Sequence, residues 1–254
     1  MLGIERRRET MTILQRQKSV LVSDLSKRFG VTEETIRRDL EKLEGEGLIK
    51  RTYGGAVLNE NIRIDLPFNI REVTNIEEKG RIASKMAEFI EDGDTLMLDS
   101  SSTVLQLSKY IKQKDNITVI TNSMSMLLEL SNLKNIRIIS TGGDLKRSSL
   151  SFVGPLAERA IKNYYVDKTI ISCKAIHMEN GILESNELEA QIKRGMIERA
   201  RRTYLLLDST KFDNMSFINI VPFKDIDAIL TEKILSKEWE QFCRDNDIEL
   251  IYSH

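Results

Sequence analysis

Five polar turns along the chain carry side chains suited to holding a small anion. Asp99-Ser100-Ser101-Ser102-Thr103 sets a run of hydroxyls behind a carboxylate, and Asn122-Ser123, Gly142-Gly143-Asp144, Cys173-Lys174 and Asp208-Ser209-Thr210-Lys211 follow other apolar runs. Hydroxyls and backbone N–H groups at a helix start donate to phosphate oxygens, and Lys211 or Lys174 could supply the opposing charge. Taken singly, each turn is more often a helix cap, a tight turn or a solvated lysine. Together they gain weight, because each follows the end of a strand-like run and so falls at one sheet edge. A second set lies near the start of the chain. There Thr32, Thr35, Arg37 and Arg38 combine the hydroxyl and guanidinium groups that reach phosphates and base edges in a DNA major groove.

The elements that position the first set alternate along residues 75–254. Short β-rich runs predict strands at Thr95–Leu98, Ile117–Thr121, Ile136–Thr141, Thr169–Ser172, Tyr204–Leu207, Ala228–Thr231 and Glu249–Ile251. Amphipathic stretches predict helices around Ile82 to Ile90, after Thr103, and over Met124–Leu130, Pro155–Ile161, Ser185–Ala200 and Ser236–Asn246. This alternation implies βαβ units and a mostly parallel sheet, an α/β fold. In such a sheet ligands bind outside the carboxyl ends of the strands, where the strand order reverses.

Residues 1–58 read as a helix-turn-helix with a wing. Ile4, Met11 and Leu14 share one helical face over about residues 4–17. Val20 and Val22 suggest a short strand. Ser23 is placed to cap a helix Asp24–Phe29 that Gly30 ends, and Thr32 to cap another that runs to about Glu46. On that second helix Ile36, Leu40 and Leu43 form the core face, and Arg38 lies opposite. Two readings of Arg37 and Arg38 stand side by side: contact with DNA, or surface pairs with Glu33, Glu34 or Glu41. Leu48 to Val57 predicts a strand, a Gly54-Gly55 turn and a second strand, with Lys50 and Arg51 beside the DNA backbone. Polar, irregular residues 59–74 are the expected linker.

The combination Thr35-Ile36-Arg37-Arg38-Asp39-Leu40, Leu43-Glu44, Gly47, Arg51 and Gly54-Gly55-Ala56 resembles the DeoR family of bacterial transcription regulators. The resemblance spans nearly the whole chain. It implies a winged helix-turn-helix in front of an α/β domain similar to ribose-5-phosphate isomerase and glucosamine-6-phosphate deaminase, which senses phosphorylated sugars or related metabolites. Ser23, Thr32, Thr35, Arg37, Arg38, Lys50, Arg51 and Tyr53 are then the expected DNA contacts, with Tyr53 where the family usually has His. The family's Asp-x-Gly-Ser/Thr-Thr loop matches at Asp99, Ser102 and Thr103, with Ser101 in place of Gly. Its Thr-Asn, Gly-Gly and Asp-x-x-Lys-Phe turns match at Thr121-Asn122, Gly142-Gly143 and Asp208 to Phe212. The expected effector contacts are Asp99, Ser100, Ser101, Ser102, Thr103, Asn122, Ser123, Gly142, Gly143, Lys174, Glu187, Asp208 and Lys211. For Glu187 a ligand contact and a dipole-favoured acid at a helix start are equally open.

Composition narrows the alternatives. The chain has 254 residues, 41% of them hydrophobic and 30% charged, with a formal net charge of −1. Residues 1–58 hold 12 Lys/Arg against 9 Asp/Glu and the remainder 26 against 30, a basic head on an acidic body. Two distant cysteines, Cys173 and Cys243, and two histidines offer no metal spacing, so no metal and no cofactor is expected. Arg6-Arg7-Arg8 precedes no apolar run of the kind a secretion signal needs, and no membrane span is expected, so a cytoplasmic location is the expectation. The expected function is a DNA-binding regulator, in this family most often a repressor of sugar-catabolism genes, acting as a homodimer or higher oligomer on a double-stranded operator. An aldose–ketose isomerase using Asp99, Glu187 or Asp208 as base is the competing reading. No acid–base pair at a diagnostic spacing supports it, so the chain is expected not to be an enzyme. A third reading is a DNA-bound adaptor that binds protein.

Overall fold

A computed structural model describes residues 1–45, 47–58 and 67–253. The chain divides into two compact units, Met1–Asn75 and Ile76–His254.

The first unit runs α1 (Gly3–Gln17), β1 (Ser19–Leu21), α2 (Val22–Phe29), α3 (Glu33–Gly45), β2 (Ile49–Thr52), β3 (Gly55–Leu58) and α4 (Phe68–Arg71). Met11, Leu14, Val22, Leu25, Ile36, Leu40, Leu43 and Leu48 are buried in one core. Ile4 is not among them: at 47% exposed it lies outside the stripe that Met11 and Leu14 form. The strands make a small antiparallel sheet in the order β1-β3-β2. Gly30 ends α2 in the left-handed conformation, as its type allows. Ser23 does not cap α2, which begins one residue earlier. The Val22 N–H donates to the Gly54 carbonyl at 2.9 Å, so the wing satisfies one of the first N–H groups of α2, which have no partner within the helix. The wing turn falls on Tyr53 and Gly54, while Gly55 begins β3 opposite Leu21. A Cβ on Gly55 would collide with the Val20 carbonyl oxygen. Gly55→Ala is therefore expected to push the wing off β1 and cost about 1–3 kcal/mol, the range for overpacking, measurable by thermal unfolding. Residues 59–66 of the expected linker, and the expected helix end at Glu46, lie outside the described residues. The rest of that linker holds α4, whose Phe68 and Ile70 are buried, Ile70 in the core of this unit.

The second unit runs α5 (Ile76–Ala87), β4 (Thr95–Leu98), α6 (Ser102–Leu105), α7 (Ser108–Ile111), β5 (Ile117–Thr121), α8 (Met124–Leu130), β6 (Ile136–Ser140), β7 (Asp144–Lys146), β8 (Ser151–Val153), α9 (Pro155–Lys162), β9 (Val166–Ile171), β10 (Ala175–His177), β11 (Gly181–Glu184), α10 (Glu187–Ile197), β12 (Ala200–Leu206), β13 (Ile218–Asn219), β14 (Ala228–Thr231), α11 (Lys237–Asp245) and β15 (Glu249–Tyr252). Seven strands form one sheet, β15-β14-β12-β9-β4-β5-β6, in which every neighbouring pair is parallel. From β4 the chain builds outward through β5 and β6, then returns to β9 on the other side and builds through β12, β14 and β15. The order therefore reverses between β4 and β9, and the crevice of an open α/β sheet belongs at their carboxyl ends.

Some elements differ from expectation. The helix after Thr103 is two single turns, α6 and α7. α10 is capped by Asn186, which accepts from Leu188 N at 3.1 Å, and ends at Ile197, because Ala200 already pairs with Val166 in the sheet. The stretch from Asp144 to Phe152 holds the β7–β8 hairpin, and β10, β11 and β13 add a small antiparallel sheet. Trp239 of α11 is buried edge-on to Phe212, and its indole N–H donates to Asp213 Oδ1 at 3.0 Å. Among the described residues no helix is long and apolar enough to cross a membrane.

Candidate functional site

In the first unit α3 presents two faces with different tasks. Ile36, Leu40 and Leu43 are inward, as the helical spacing requires. Asp39 is also buried; it binds the Arg6 guanidinium and accepts from Arg7 Nη1 at 3.3 Å, tying α3 to α1. Thr32 opens the helix by accepting from Thr35 N at 3.3 Å, and the two threonine hydroxyls lie 2.9 Å apart. Arg37 and Arg38 face solvent. Arg37 Nη2 lies 2.7 Å from Glu33, and Arg38 Nε lies 3.4 Å from Glu34. At the wing, Glu44 accepts from Arg51 N at 3.0 Å and Arg51 Nε at 2.6 Å, and these bonds, backbone first, hold the Glu44 carboxyl below its usual range. Arg51 thus fixes the wing to α3. Lys50 is exposed, and Tyr53 stands fully exposed at the wing tip. Ser23 lies partly exposed in the first turn of α2, where its Oγ meets Asp24 Oδ1 at 3.5 Å.

In the second unit the Asp99–Thr103 turn lies at the strand-order reversal. Asp99 is 1% exposed; it accepts from Ser101 N at 3.0 Å and, across the reversal, from Ser172 N at 3.2 Å. Its other neighbour is Lys193 Nζ at 3.4 Å, and Lys193 also binds Glu184. Burial would lower the pKa of Lys193, but the carboxylates of Glu184, Asp99 and Glu189 outweigh it and hold the ammonium above its ordinary range. Glu189 accepts from Lys146 at 2.9 Å and lies 3.4 Å from Ser151 Oγ. Ser101 is an N-cap, its Oγ accepting from Val104 N at 3.2 Å, and Ser123 caps α8 the same way from Met126 N.

Lys79 of α5 donates to Ser102 Oγ at 3.0 Å while buried. The same charge reaches Asp208. Burial raises that carboxyl's pKa, yet Lys211, Thr210 and Lys79 together hold it below the usual range. Lys211 Nζ is 3.9 Å from Asp208 Oδ2. Asn122 continues β5 beside Asp99. Its Nδ2 donates to the Phe152 carbonyl at 3.1 Å, and its Oδ1 is buried with no hydrogen-bond partner. Gly143, with φ of 110°, lets the chain pass the β8–α9 junction, where a Cβ would lie 2.6 Å from the Val153 carbonyl oxygen. Gly142 adopts a φ of 61° in the same turn.

Ser100, Ser102, Asn122, Lys211 and Asp208 therefore gather with Asp99 at the carboxyl ends of the sheet. Lys174 begins the β10 side, its N–H donating to the Leu183 carbonyl. Glu187 stays apart, partly exposed and bound to Arg194 and Gln191, which lower its pKa in that order. Lys79, Glu184, Lys146, Lys193 and Glu189 are not among the contacts expected from sequence. A signal existed: Lys79 shares the stripe of Ile82 and Met86, and Lys193 that of Ala190 and Met196, and a lysine on an apolar stripe is rarely left without a buried partner. Burial pushes the Cys173 thiol up to about 12, which removes it as a nucleophile at neutral pH.

Comparison with known proteins agrees with both halves. The model of the DeoR-like helix-turn-helix domain matches residues 6–61, and that of the DeoR C terminal sensor domain matches residues 74–233. The HTH-type transcriptional regulator YulB of Bacillus subtilis is 45% identical over 91% of this chain and 90% of its own. The L-fucose operon activator of Haemophilus influenzae is 35% identical over 92% of this chain and 94% of its own. The glycerol-3-phosphate regulon repressor of Escherichia coli is 30% identical over 97% of each chain. Among solved structures, ribose 5-phosphate isomerase A of Methanocaldococcus jannaschii aligns over 55% of each chain with a TM-score of 0.40 and 13% identity, and no activity carries over at that distance. With an amino-terminal DNA-reading module, a carboxyl-terminal sensor module and full-length relatives that control transcription, the chain belongs to the DeoR family of transcription regulators.

Proposed function

We propose that the protein is a repressor of carbohydrate-metabolism genes whose second unit captures a phosphorylated sugar or related metabolite, without turning it over. The observation that carries this reading is the pair Lys79 and Lys211 at the strand-order reversal, one donating to Ser102 and both acting on Asp208. Two ammonium groups beside serine hydroxyls suit a phosphomonoester. The buried Oδ1 of Asn122 is an acceptor that a sugar hydroxyl would satisfy. Relatives named for the control of a fucose operon and a glycerol-3-phosphate regulon support the substrate class. Effector and operator favour different states of the chain, and their affinities are linked reciprocally. Reading a palindromic operator needs two heads, so a homodimer or higher oligomer is the working form.

A thermal-shift panel of ribose 5-phosphate, fructose 1-phosphate, glycerol 3-phosphate and related esters tests this, with inorganic phosphate as the control. At a hundredfold excess over Kd the true effector stabilises the sensor unit by about 2.7 kcal/mol. Lys79→Met is expected to abolish the shift while the first unit's unfolding stays in place. A flat response across the panel would remove the phosphorylated-sugar assignment and favour the adaptor reading.

A further inference from the structure

The solvent face of α3 carries as many acids as bases: Glu33, Glu34 and Glu41 stand with Arg37, Arg38 and Lys42, all exposed. Two of the acids hold the two arginines one turn away, at 2.7 Å and 3.4 Å. A helix that enters a groove lined by phosphates would bind more tightly without those carboxylates. Non-specific binding comes from basic side chains that neutralise phosphates and release counterions. An arginine already neutralised on its own helix adds little to that release, and the carboxylate beside it is repelled by the backbone. Base edges offer different terms. A guanine edge takes an arginine through two hydrogen bonds, and a cytosine amino group donates to a glutamate. Exposed ion pairs are weak enough for such an exchange.

We propose that Glu33 and Glu34 are specificity-determining residues, which occupy Arg37 and Arg38 on non-operator DNA and yield them only to base edges. This rests on α3 being the helix that reads the groove. The pairing and the DNA contact, separate readings from sequence, then become two states of one device.

The test uses the full-length protein, a random-sequence duplex, and a duplex selected from a random library by the wild-type protein. In the Glu33→Gln/Glu34→Gln variant, affinity for the random duplex is expected to rise about tenfold at moderate salt, with the slope of log K against log salt steeper by about one to two. Affinity for the selected duplex changes less, so the ratio of the two falls. Glu33→Asp/Glu34→Asp keeps the charges and is expected to keep most of the discrimination. Random-duplex affinity and slope that stay unchanged or fall in the Gln variant would overturn the proposal. Should that variant lose its helix by circular dichroism, Glu34→Gln alone, at the longer pair, carries the same test. Arg37→Ala/Arg38→Ala separates the underlying reading. Weaker binding of the selected duplex by this variant is expected if α3 reads the groove, and unchanged binding would remove that premise and the proposal with it.

Discussion

Asp39→Ala is expected to destabilise the first unit by about 3–5 kcal/mol, the cost of stranding a buried charge. Asp39 is 5% exposed and Arg6 8%, and the Asp39 carboxylate binds the guanidiniums of both Arg6 and Arg7. Removing the acid leaves the Arg6 guanidinium in the core of the α1–α3 contact with no counter-charge. At roughly 0.05–0.15 kcal/mol per residue, the unit Met1–Asn75 has about 4–11 kcal/mol of stability, so the loss is a large share of it. Urea unfolding should show the transition of this unit moving to much lower denaturant while that of the second unit stays. Binding to the selected duplex is expected to weaken although no residue on the solvent face of α3 has changed. Arg6→Ala combined with Asp39→Ala should cost less than the two single changes added, the mark of a direct pair. A shift of under 1 kcal/mol for Asp39→Ala would show that the pair does not hold α1 to α3.

Lys193→Met is the corresponding lesion in the second unit, with a similar expected loss of about 3–5 kcal/mol. Lys193 lies against Asp99 and Glu184, and Glu189 also acts on it. Without the ammonium, buried carboxylates face one another, and the folded state takes up protons more readily than the unfolded one. Stability of the variant therefore rises as pH falls below neutrality. The wild type behaves differently. Its Lys193 has a folded pKa above the unfolded value of about 10.4, so the contribution of this group is complete below that value and is lost only as pH rises through the folded one. Thermal unfolding of both proteins between acid and alkaline pH checks the sign. A variant whose stability is flat with pH would mean that Lys193 is not the counter-charge of these acids.

Much of the frame was legible because parallel strands covered on both faces read as unbroken apolar runs. Thr95–Leu98, Ile117–Thr121 and Ala228–Thr231 agree with β4, β5 and β14 residue for residue. The apolar run Tyr204–Leu207 understates β12, because Arg201 and Arg202 lie in the strand before the sheet buries Thr203 to Leu206. β13 was invisible, since Asn219 meets Leu183 only by long-range pairing, and β10 and β11, a local hairpin, are too short to show a strand period. The site was legible in its turns and opaque in its ion pairs. The sequence points to Glu187 as a helix-start acid, yet the acids that turn inward are Glu184 and Glu189; the apolar stripe of α10 turns Lys193 to the core, but nothing local tells that Glu184 and Asp99 will meet it there. In the first unit the Thr35–Leu40 motif mixed two roles that only coordinates separate: Asp39 holds the fold, while Arg37 and Arg38 look outward.

The sole tryptophan has a practical consequence. Trp239 rests edge-on against Phe212, the residue that follows Lys211, and its ring nitrogen grips Asp213. Any molecule that rearranges the Asp208–Lys211 segment must disturb the surroundings of that indole. A ligand that moves this segment is therefore expected to change the indole's emission, a readout that needs no dye or label on the native chain.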